Sequence, residues 1–210
     1  MLEDQSLLLN QFFTLWAMLD PIGHLPLFLG ATNELTRSER RRAAYLSVVF
    51  ALAILVFFAI AGQFLLHAMG ISLLSFQIAG GIILLLFSLR MVLGEARNSA
   101  HSEEPTGDTL DVAIYPLATP IIAGPGAMLA IVILTDNHRF TPLEQVTTFG
   151  LLAVILSVMV AVFLLGEVIL RLIGHGGINV LHRVMGVILS ALSINLIVSA
   201  LSEWLKLPPI

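Results

Sequence analysis

Two prolines and an acidic residue interrupt an apolar stretch near the start of the chain. Asp20 directly precedes Pro21, and Pro26 follows five positions after Pro21, all within the apolar run 7–31. A run of this length can cross a bilayer as a helix, but each proline removes a backbone donor and clashes with the preceding turn. Backbone groups freed in hydrocarbon are costly unless protein or water meets them. The sequence therefore predicts a broken helix that faces a protein interior or a cavity.

A second interruption with the same spacing lies in the other half of the chain. Thr119 precedes Pro120, and Pro125 follows five positions after Pro120, within the apolar run 112–134. Paired interruptions at corresponding places in two halves indicate a transporter binding site between structural repeats. The last predicted span adds one polar candidate, Asn195. The predicted substrate-binding residues are Asp20, Pro21, Gly23, His24, Pro26, Thr119, Pro120, Gly124, Pro125, Gly126 and Asn195.

Asp20 is the only carboxylate in the middle of a predicted span. A charge at that depth usually faces a cavity or a partner, so Asp20 is a candidate ligand for a coupling H⁺ or Na⁺ or for a substrate ammonium group. A short acidic side chain before a proline also caps the donors of the next helical piece. Both roles are compatible with the sequence. We expect no bound metal centre and no cofactor.

Other polar residues allow a structural interpretation beside a functional one. The Thr119 hydroxyl can bind substrate or a freed carbonyl of its own helix, and His24 can relay protons or cap a helix. Asn195 is a candidate for the site, although such side chains often join helices. Glu167 precedes Arg171 by one helical turn, which predicts an ion pair between them.

The composition defines the class of protein. Of the 210 residues, 58% are hydrophobic and 11% charged, and the mean hydropathy is +0.97, whereas soluble domains carry about 25% charged residues. The chain is therefore predicted to form a single all-α integral membrane domain over 1–210, with the lipid bilayer and a small-molecule substrate as partners. Nucleic acid is not expected as a partner, and the sequence does not determine the oligomeric state. It has no cysteine and no metalloprotease, hydrolase or P-loop motif, so we expect no enzyme.

Hydropathy divides the chain into two halves of three spans each. Because three is odd, two similar halves in series must insert with opposite topology, as inverted repeats do. We expect repeat one over 1–98, a cytoplasmic linker over 99–111 and repeat two over 112–210, with the first span of each repeat broken. The six predicted spans are 7–31, 44–67, 71–92, 112–134, 146–170 and 180–201.

The basic residues predict the orientation. Eight of the ten Arg and Lys residues lie at or beyond the end of the first, third or fifth predicted span. The positive-inside rule places these segments in the cytoplasm and both termini outside. Residues 1–6 lack a basic region before the first apolar run, so we expect that run to remain as a span.

Three motifs in order resemble the MarC/SnatA-like family, also called UPF0056. They are Asp-Pro-x-Gly-x-x-Pro at 20–26, Pro-Leu-Ala-x-Pro-x-x-x-Gly-Pro at 116–125 and Gly-Ile-Asn-Val-Leu-x-Arg-x-Met-Gly at 177–186. The resemblance implies a six-span inner-membrane protein of prokaryotes, here of the bacterial inner membrane with periplasmic termini. One branch of the family transports small neutral amino acids such as glycine and alanine. His24 stands where the family commonly has Asn.

These observations favour a secondary transporter of a small zwitterionic amino acid, with alternating access at the two broken helices. Efflux of amphiphilic molecules is an alternative, but it predicts a wide aromatic cavity, and only 8% of the residues are aromatic. A membrane scaffold that binds a partner through the linker, or a channel, also fits the sequence.

Overall fold

The computed structural model describes residues 2–94 and 108–207, and every regular element in these two ranges is a helix. One of them, Ala113–Ile122, is a π-helical segment that continues directly from the short helix before it. The helices are α1 (Leu2–Leu19), α2 (Leu25–Ala31), α3 (Arg37–Ala68), α4 (Leu73–Leu93), α5 (Thr109–Val112), α6 (Ala113–Ile122), α7 (Pro125–Leu134), α8 (Pro142–Leu164) and α9 (Gly166–Leu205).

The number of membrane spans differs from the prediction. In the described ranges, four helical stretches are long and apolar enough to cross a bilayer: Arg37–Ala68, Leu73–Leu93, Pro142–Leu164 and Gly176–Leu205. The bent pair of α5–α6 and α7, with an angle of 61°, makes a fifth span if it is counted as one. The first predicted span is instead the short apolar helix Ser6–Leu19, a break and the seven-residue α2. The multi-pass helical class is thus confirmed, whereas six crossings are not.

Helices α3 and α8 begin with the same local structure. The Thr36 side chain accepts a hydrogen bond from the Glu39 amide, and the Glu39 carboxylate accepts one from the Thr36 amide. Thr141 and Glu144 form the same reciprocal pair at the start of α8. Such capping boxes satisfy amides that the first turn of a helix leaves without partners. Both helices therefore have sharply defined starts after a short connection.

Helices α4 and α9 pack in antiparallel fashion along much of their length. The Gln77 amide donates to the Leu196 carbonyl at 3.0 Å near one end of the contact. Near the other end, the hydroxyl groups of Ser88 and Ser190 lie 2.8 Å apart, and a Cβ added at Gly186 would lie 2.9 Å from Met91. Small and polar residues at a membrane helix interface permit this close approach. These polar side chains therefore join α4 to α9.

Most of the basic residues lie at one end of the helices, which we call the arginine side. At the start of α3, Arg40 contacts Glu167 at the start of α9 with an N···O distance of 2.7 Å. Arg37 lies 3.5 Å from the same carboxylate. The predicted pair of Glu167 with Arg171 is therefore wrong, because tertiary packing brings α3 to this carboxylate. Arg139, near the start of α8, contacts Glu203 near the end of α9 on the opposite side.

Helix α7 lies at the centre of the protein. It contacts α1, α3, α4 and α8, and most of its residues are buried. Of the predicted linker 99–111, residues 99–107 lie outside the described residues. Asp108 caps α5 by accepting a hydrogen bond from the Thr109 amide at 2.7 Å, so the described end of that segment leads directly into the second broken segment.

Candidate functional site

The first break is a tight turn between α1 and α2. Helix α1 ends at Leu19, and Asp20 follows with φ +36°. Aspartate is one of the few residues besides glycine that adopt this left-handed region. The Asp20 amide still donates to the Trp16 carbonyl at 2.9 Å, and the His24 amide donates to the Asp20 carbonyl at 3.1 Å. The chain therefore turns at Asp20 while most of its local backbone groups keep partners.

His24 closes the end of α1 with its side chain. Its Nδ1–H donates to the Leu19 carbonyl over 2.7 Å, and the side chain is only 3% exposed. Because a carbonyl can only accept, the neutral ring must carry its proton on Nδ1, which leaves Nε2 as an acceptor. The Phe87 ring packs against this imidazole with centroids 6.2 Å apart. His24 thus satisfies a carbonyl that the broken helix frees, which is the capping role.

The two carboxylate oxygens of Asp20 have different surroundings. Oδ1 accepts a hydrogen bond from the Gly23 amide at 3.0 Å, which is the bond expected of a capping carboxylate. Oδ2 has no hydrogen-bond partner among the residues that the structure describes, although Asp20 is only 1% exposed. A buried carboxylate oxygen is costly unless a proton, a cation or a donor meets it. This oxygen is therefore suited to receive a proton, a Na⁺ ion or an ammonium group.

The second break is longer and contains no charged residue. Tyr115 and Thr119 have extended backbone angles inside α6, with φ near −132° and −135°. Each precedes a proline, and the residue before a proline is disfavoured in helical geometry. Gly124 then caps α7, and Pro125 occupies its first turn, where its missing amide costs nothing. Local sequence therefore accounts for both the irregular α6 and the clean start of α7.

The two broken segments pack against each other inside the protein. Helix α1 contacts α7, and α2 contacts α6. A Cβ added at Gly126, in the first turn of α7, would lie 3.2 Å from the Met18 sulfur at the end of α1. The start of α7 therefore lies close to the end of α1, where Asp20 sits. Helix N-termini carry free amides and partial positive charge, which suit a carboxylate.

The structure brings together part of the predicted site. The first-break residues Asp20, Pro21, Gly23 and His24 are buried, as is Gly126. Partly exposed members are Pro26, Thr119 and Gly124, whereas Pro120, Pro125 and Asn195 are exposed. Asn195 lies on the outward face of α9 and is not part of this cluster. No group of three His, Asp or Glu side chains within 2–94 and 108–207 is arranged to hold a metal ion.

A polar cleft that the sequence did not predict lies on the side opposite the arginine side. It has a volume of about 620 Å³ and lies among the ends of α3 and α7 and the starts of α4 and α8. We call it the α3–α7 cleft; its lining includes Ala59, Gln63, Thr135, Asp136 and Gln145. The sequence feature that could have indicated this cleft is the presence of polar residues, such as Gln63, near the end of a predicted span. Helix α7 runs from the two breaks to this cleft.

The architecture and the interrupted helices define the chain as a multi-pass α-helical integral membrane protein. The model that describes MarC family integral membrane proteins matches residues 5–205, so the chain belongs to this family. The resemblance inferred from the three motifs is thereby confirmed.

Curated relatives are similar over nearly their whole length. A UPF0056 membrane protein of Methanocaldococcus jannaschii is 36% identical over 90% of this chain and 93% of its own length. A UPF0056 membrane protein of Aquifex aeolicus is 34% identical over 95% and 94%. One of Buchnera aphidicola is 32% identical over 94% of both chains. These names describe membrane proteins and state no reaction or substrate. No solved structure matches the chain.

Proposed function

We propose that this protein is a secondary transporter of a small neutral, zwitterionic amino acid such as glycine or alanine, and not an enzyme. The solute binds where the two broken segments pack together, and the protein exposes this place alternately to each side of the membrane. Asp20 binds the coupling H⁺ or Na⁺ or the substrate ammonium group. The first turn of α7 binds the substrate carboxylate. No cofactor takes part.

One observation supports this proposal above the others. Asp20 is buried where the broken segments pack together, yet its Oδ2 has no partner among the described residues. A purely structural capping residue needs only the bond from Gly23. Intramembrane carboxylates typically belong to ion or substrate pathways. A buried acceptor beside a helix N-terminus is complementary to a zwitterion in both charge and hydrogen bonding.

The proposal includes six crossings in two inverted repeats, and pairs of matched contacts support it. A Cβ added at Gly62 would lie 2.6 Å from Val132, and one added at Gly166 would lie 3.2 Å from Leu29. Val132 and Leu29 each lie three residues before the threonine that ends a short helix. The capping boxes of α3 and α8 add a second matched pair. Inverted repeats are the usual framework of alternating access.

The arginine side is proposed to be cytoplasmic, in the inner membrane of a prokaryotic cell, with both termini outside. The excess of basic residues on that side supports this orientation. Seven of them belong to the described residues: Arg37, Arg40, Arg41, Arg42, Arg90, Arg171 and Arg183. Their attraction for anionic headgroups would stabilise the same orientation.

Transport of radiolabelled glycine and alanine into proteoliposomes tests the proposal. We expect saturable uptake driven by either a pH or a Na⁺ gradient, and counterflow when the vesicles are preloaded with unlabelled solute. Asp20→Asn is expected to abolish gradient-driven uptake while the protein remains folded, because Asn keeps the size and the acceptor for Gly23 but cannot bind a proton or a cation in the same way. Asp111→Asn is the matched control, since Asp111 is exposed.

Two results would contradict this assignment. Flux that is linear in solute concentration and lacks counterflow would indicate a channel. Wild-type uptake by Asp20→Asn would remove Asp20 from the mechanism.

A further inference from the structure

The two short helices lead from the breaks to opposite sides of the membrane. Helix α2 ends on the arginine side and is capped by Thr32, whose hydroxyl donates to the Phe28 carbonyl at 2.7 Å. Helix α7 ends at the α3–α7 cleft and is capped by Thr135, whose hydroxyl donates to the Ile131 carbonyl at 2.7 Å. Each helix therefore ends with the same back-bonded threonine. The surroundings of these two ends can be compared position by position.

The residue after each capping-box glutamate behaves differently at the two ends. On the arginine side this residue is Arg40, which donates from Nε and Nη2 to the Thr32 carbonyl at 3.2 and 3.0 Å. On the other side it is Gln145, which donates to Asn137 at 2.9 Å and to the Phe140 carbonyl at 3.3 Å. Arg40 thus joins α3 to the end of α2, whereas Gln145 bonds within its own connection.

The residue after each closely packed glycine differs in the same way. Glu167 follows Gly166 and accepts a hydrogen bond from Arg40 Nη1 at 2.7 Å. Gln63 follows Gly62 and donates to the Val132 carbonyl over 3.4 Å, at the limit of a hydrogen bond. The charged pair of the arginine side is therefore replaced by two neutral amides on the cleft side. Charge-assisted hydrogen bonds are roughly twice as strong as neutral ones.

Aromatic packing closes one end and is missing at the corresponding place of the other. The Phe28 and Phe163 rings stack with centroids 4.2 Å apart and an interplanar angle of 5°, and both are almost fully buried. Phe163 lies three residues before Gly166, and Ala59 lies three residues before Gly62. Ala59 lines the cleft, and its carbonyl accepts a hydrogen bond from Thr135 at 3.4 Å. Because Ala59 has only a methyl group where the other side has the Phe163 ring, space remains for the cleft.

We propose that the α3–α7 cleft is the external entrance for a small zwitterionic solute. The Phe28–Phe163 stack and the contact of Arg40 with Thr32 and Glu167 close the corresponding cytoplasmic entrance. We call these five residues the inner gate. The inference rests on the proposed transport function and assigns a conformation to it, open to the outside and closed to the cytoplasm. The cleft offers amide donors and the Asp136 carboxylate to the two charges of such a solute. This carboxylate also lies 3.6 Å from Arg139 and accepts a hydrogen bond from the His138 amide, so an ammonium group would join these partners.

Thiol labelling measures the two entrances separately, because the native chain has no cysteine. Ala59→Cys reports on the cleft, and Ala31→Cys, beside Thr32, reports on the inner gate. A membrane-impermeant maleimide is applied to right-side-out and to inverted membrane vesicles. We expect Ala59→Cys to react from the outer face and Ala31→Cys to react slowly from the inner face.

Removing the charges of the inner gate provides the first test. Arg40→Gln with Glu167→Gln should raise the labelling rate of Ala31→Cys from the inner face by about tenfold or more, the ratio expected from losing a charge-assisted hydrogen bond. Arg139→Gln with Glu203→Gln is the matched control. It neutralises an exposed ion pair of similar geometry, 2.8 Å, on the other side, and should leave that rate unchanged.

Installing the charged pair at the cleft provides an independent test that does not rely on a weakened protein. Gln63→Glu with Gln145→Arg places the ionic residues of the inner gate at the matching positions outside. We expect the labelling of Ala59→Cys from the outer face to fall several-fold. Counterflow of glycine in the same membranes should fall with it, because a carrier held closed on one side cannot cycle.

The outcomes separate this inference from the transport proposal. Counterflow in the wild type, with labelling rates that neither pair of substitutions changes, would overturn the gate assignment and leave transport standing. Labelling of Ala59→Cys only from the inner face would overturn the external position of the cleft. If the cysteine variants are labelled as expected but the wild-type protein moves no solute, the assignment of the cleft as a solute entrance is overturned together with the transport proposal.

Discussion

The two broken segments share their proline spacing but differ in charge and burial. The first break holds a buried carboxylate and is closed by hydrogen bonds from Gly23 and His24. The second holds no charged residue, and its prolines at 120 and 125 are exposed. Both interrupt a helix at the centre of the protein, so both expose backbone groups. Only the first contains a carboxylate that can bind a proton or a cation.

In the proposed transporter, this difference would divide the work between the two broken segments. A proton or a cation that binds Asp20 changes the electrostatics of one segment alone. The second break then supplies backbone donors and a helix N-terminus, which have fixed partial charges. Under that proposal, one acidic group in the first break would be enough for coupling. The comparison depends on the tight geometry around Asp20, which substitution can probe.

The largest effect is expected where the first break is most tightly packed. A Cβ added at Gly23 would overlap the Asp20 carboxylate, and the three atoms nearest to it all belong to Asp20. Overpacking of a buried site typically costs about 1–3 kcal/mol. Gly23→Ala should therefore lower the free energy of unfolding by about that amount, as measured by thermal unfolding in detergent. Gly30→Ala is the control, because a Cβ there meets nothing within 4 Å.

A double substitution identifies the cause of that loss. Asp20→Gly removes the carboxylate and tolerates the positive φ of this position. In that background Gly23→Ala should cost much less than it does alone, because the overlapping group is gone. Equal costs in both backgrounds would show that the carboxylate does not determine the packing of the first break.

Sequence reasoning found what depends on local signals. Continuous apolar runs predicted α3, α4 and α8, because hydrophobic length decides whether a segment spans a bilayer. Prolines predicted both breaks, since the missing donor acts at the proline itself. The capping boxes at Thr36 and Thr141 are also local, although they were not predicted. These features account for the membrane class and for most helix positions.

The remaining features depend on contacts between distant parts of the chain. Arg40 and Glu167 are 127 positions apart, so their pairing could not be read from helical spacing. Asn195 was predicted to join the site, but the rotation of α9 is set by its packing against α4 and leaves this side chain exposed. The α3–α7 cleft likewise arises from which helix ends meet. Tertiary packing therefore decided the points that hydropathy left open.

A smaller effect, on turnover, is expected from replacing prolines, and it should differ between the first and the second break. Pro21 is buried in the turn that carries Asp20, whereas Pro125 is exposed in the first turn of α7. Alanine is readily accommodated in the first turn of a helix. At position 21, however, it introduces a buried backbone amide that needs a hydrogen-bond partner. Pro21→Ala should therefore lower the turnover number of amino-acid counterflow several-fold, and Pro125→Ala less than twofold. Similar losses in both variants would mean that the breaks act alike despite their different burial.

The smallest effect is expected at Asn195, which tests whether a third element joins the two breaks. The side chain lies on the exposed face of α9, away from Asp20 and Gly126. Asn195→Leu should leave the counterflow rate within about twofold of wild type and the unfolding temperature unchanged, since a surface substitution typically changes stability by about 0.5 kcal/mol or less. Gln77→Leu is the contrasting variant, because it removes the bond to the Leu196 carbonyl and should cost about 0.6 kcal/mol. A large loss of counterflow in Asn195→Leu, with normal stability, would extend the substrate site to α9 and end the two-break description.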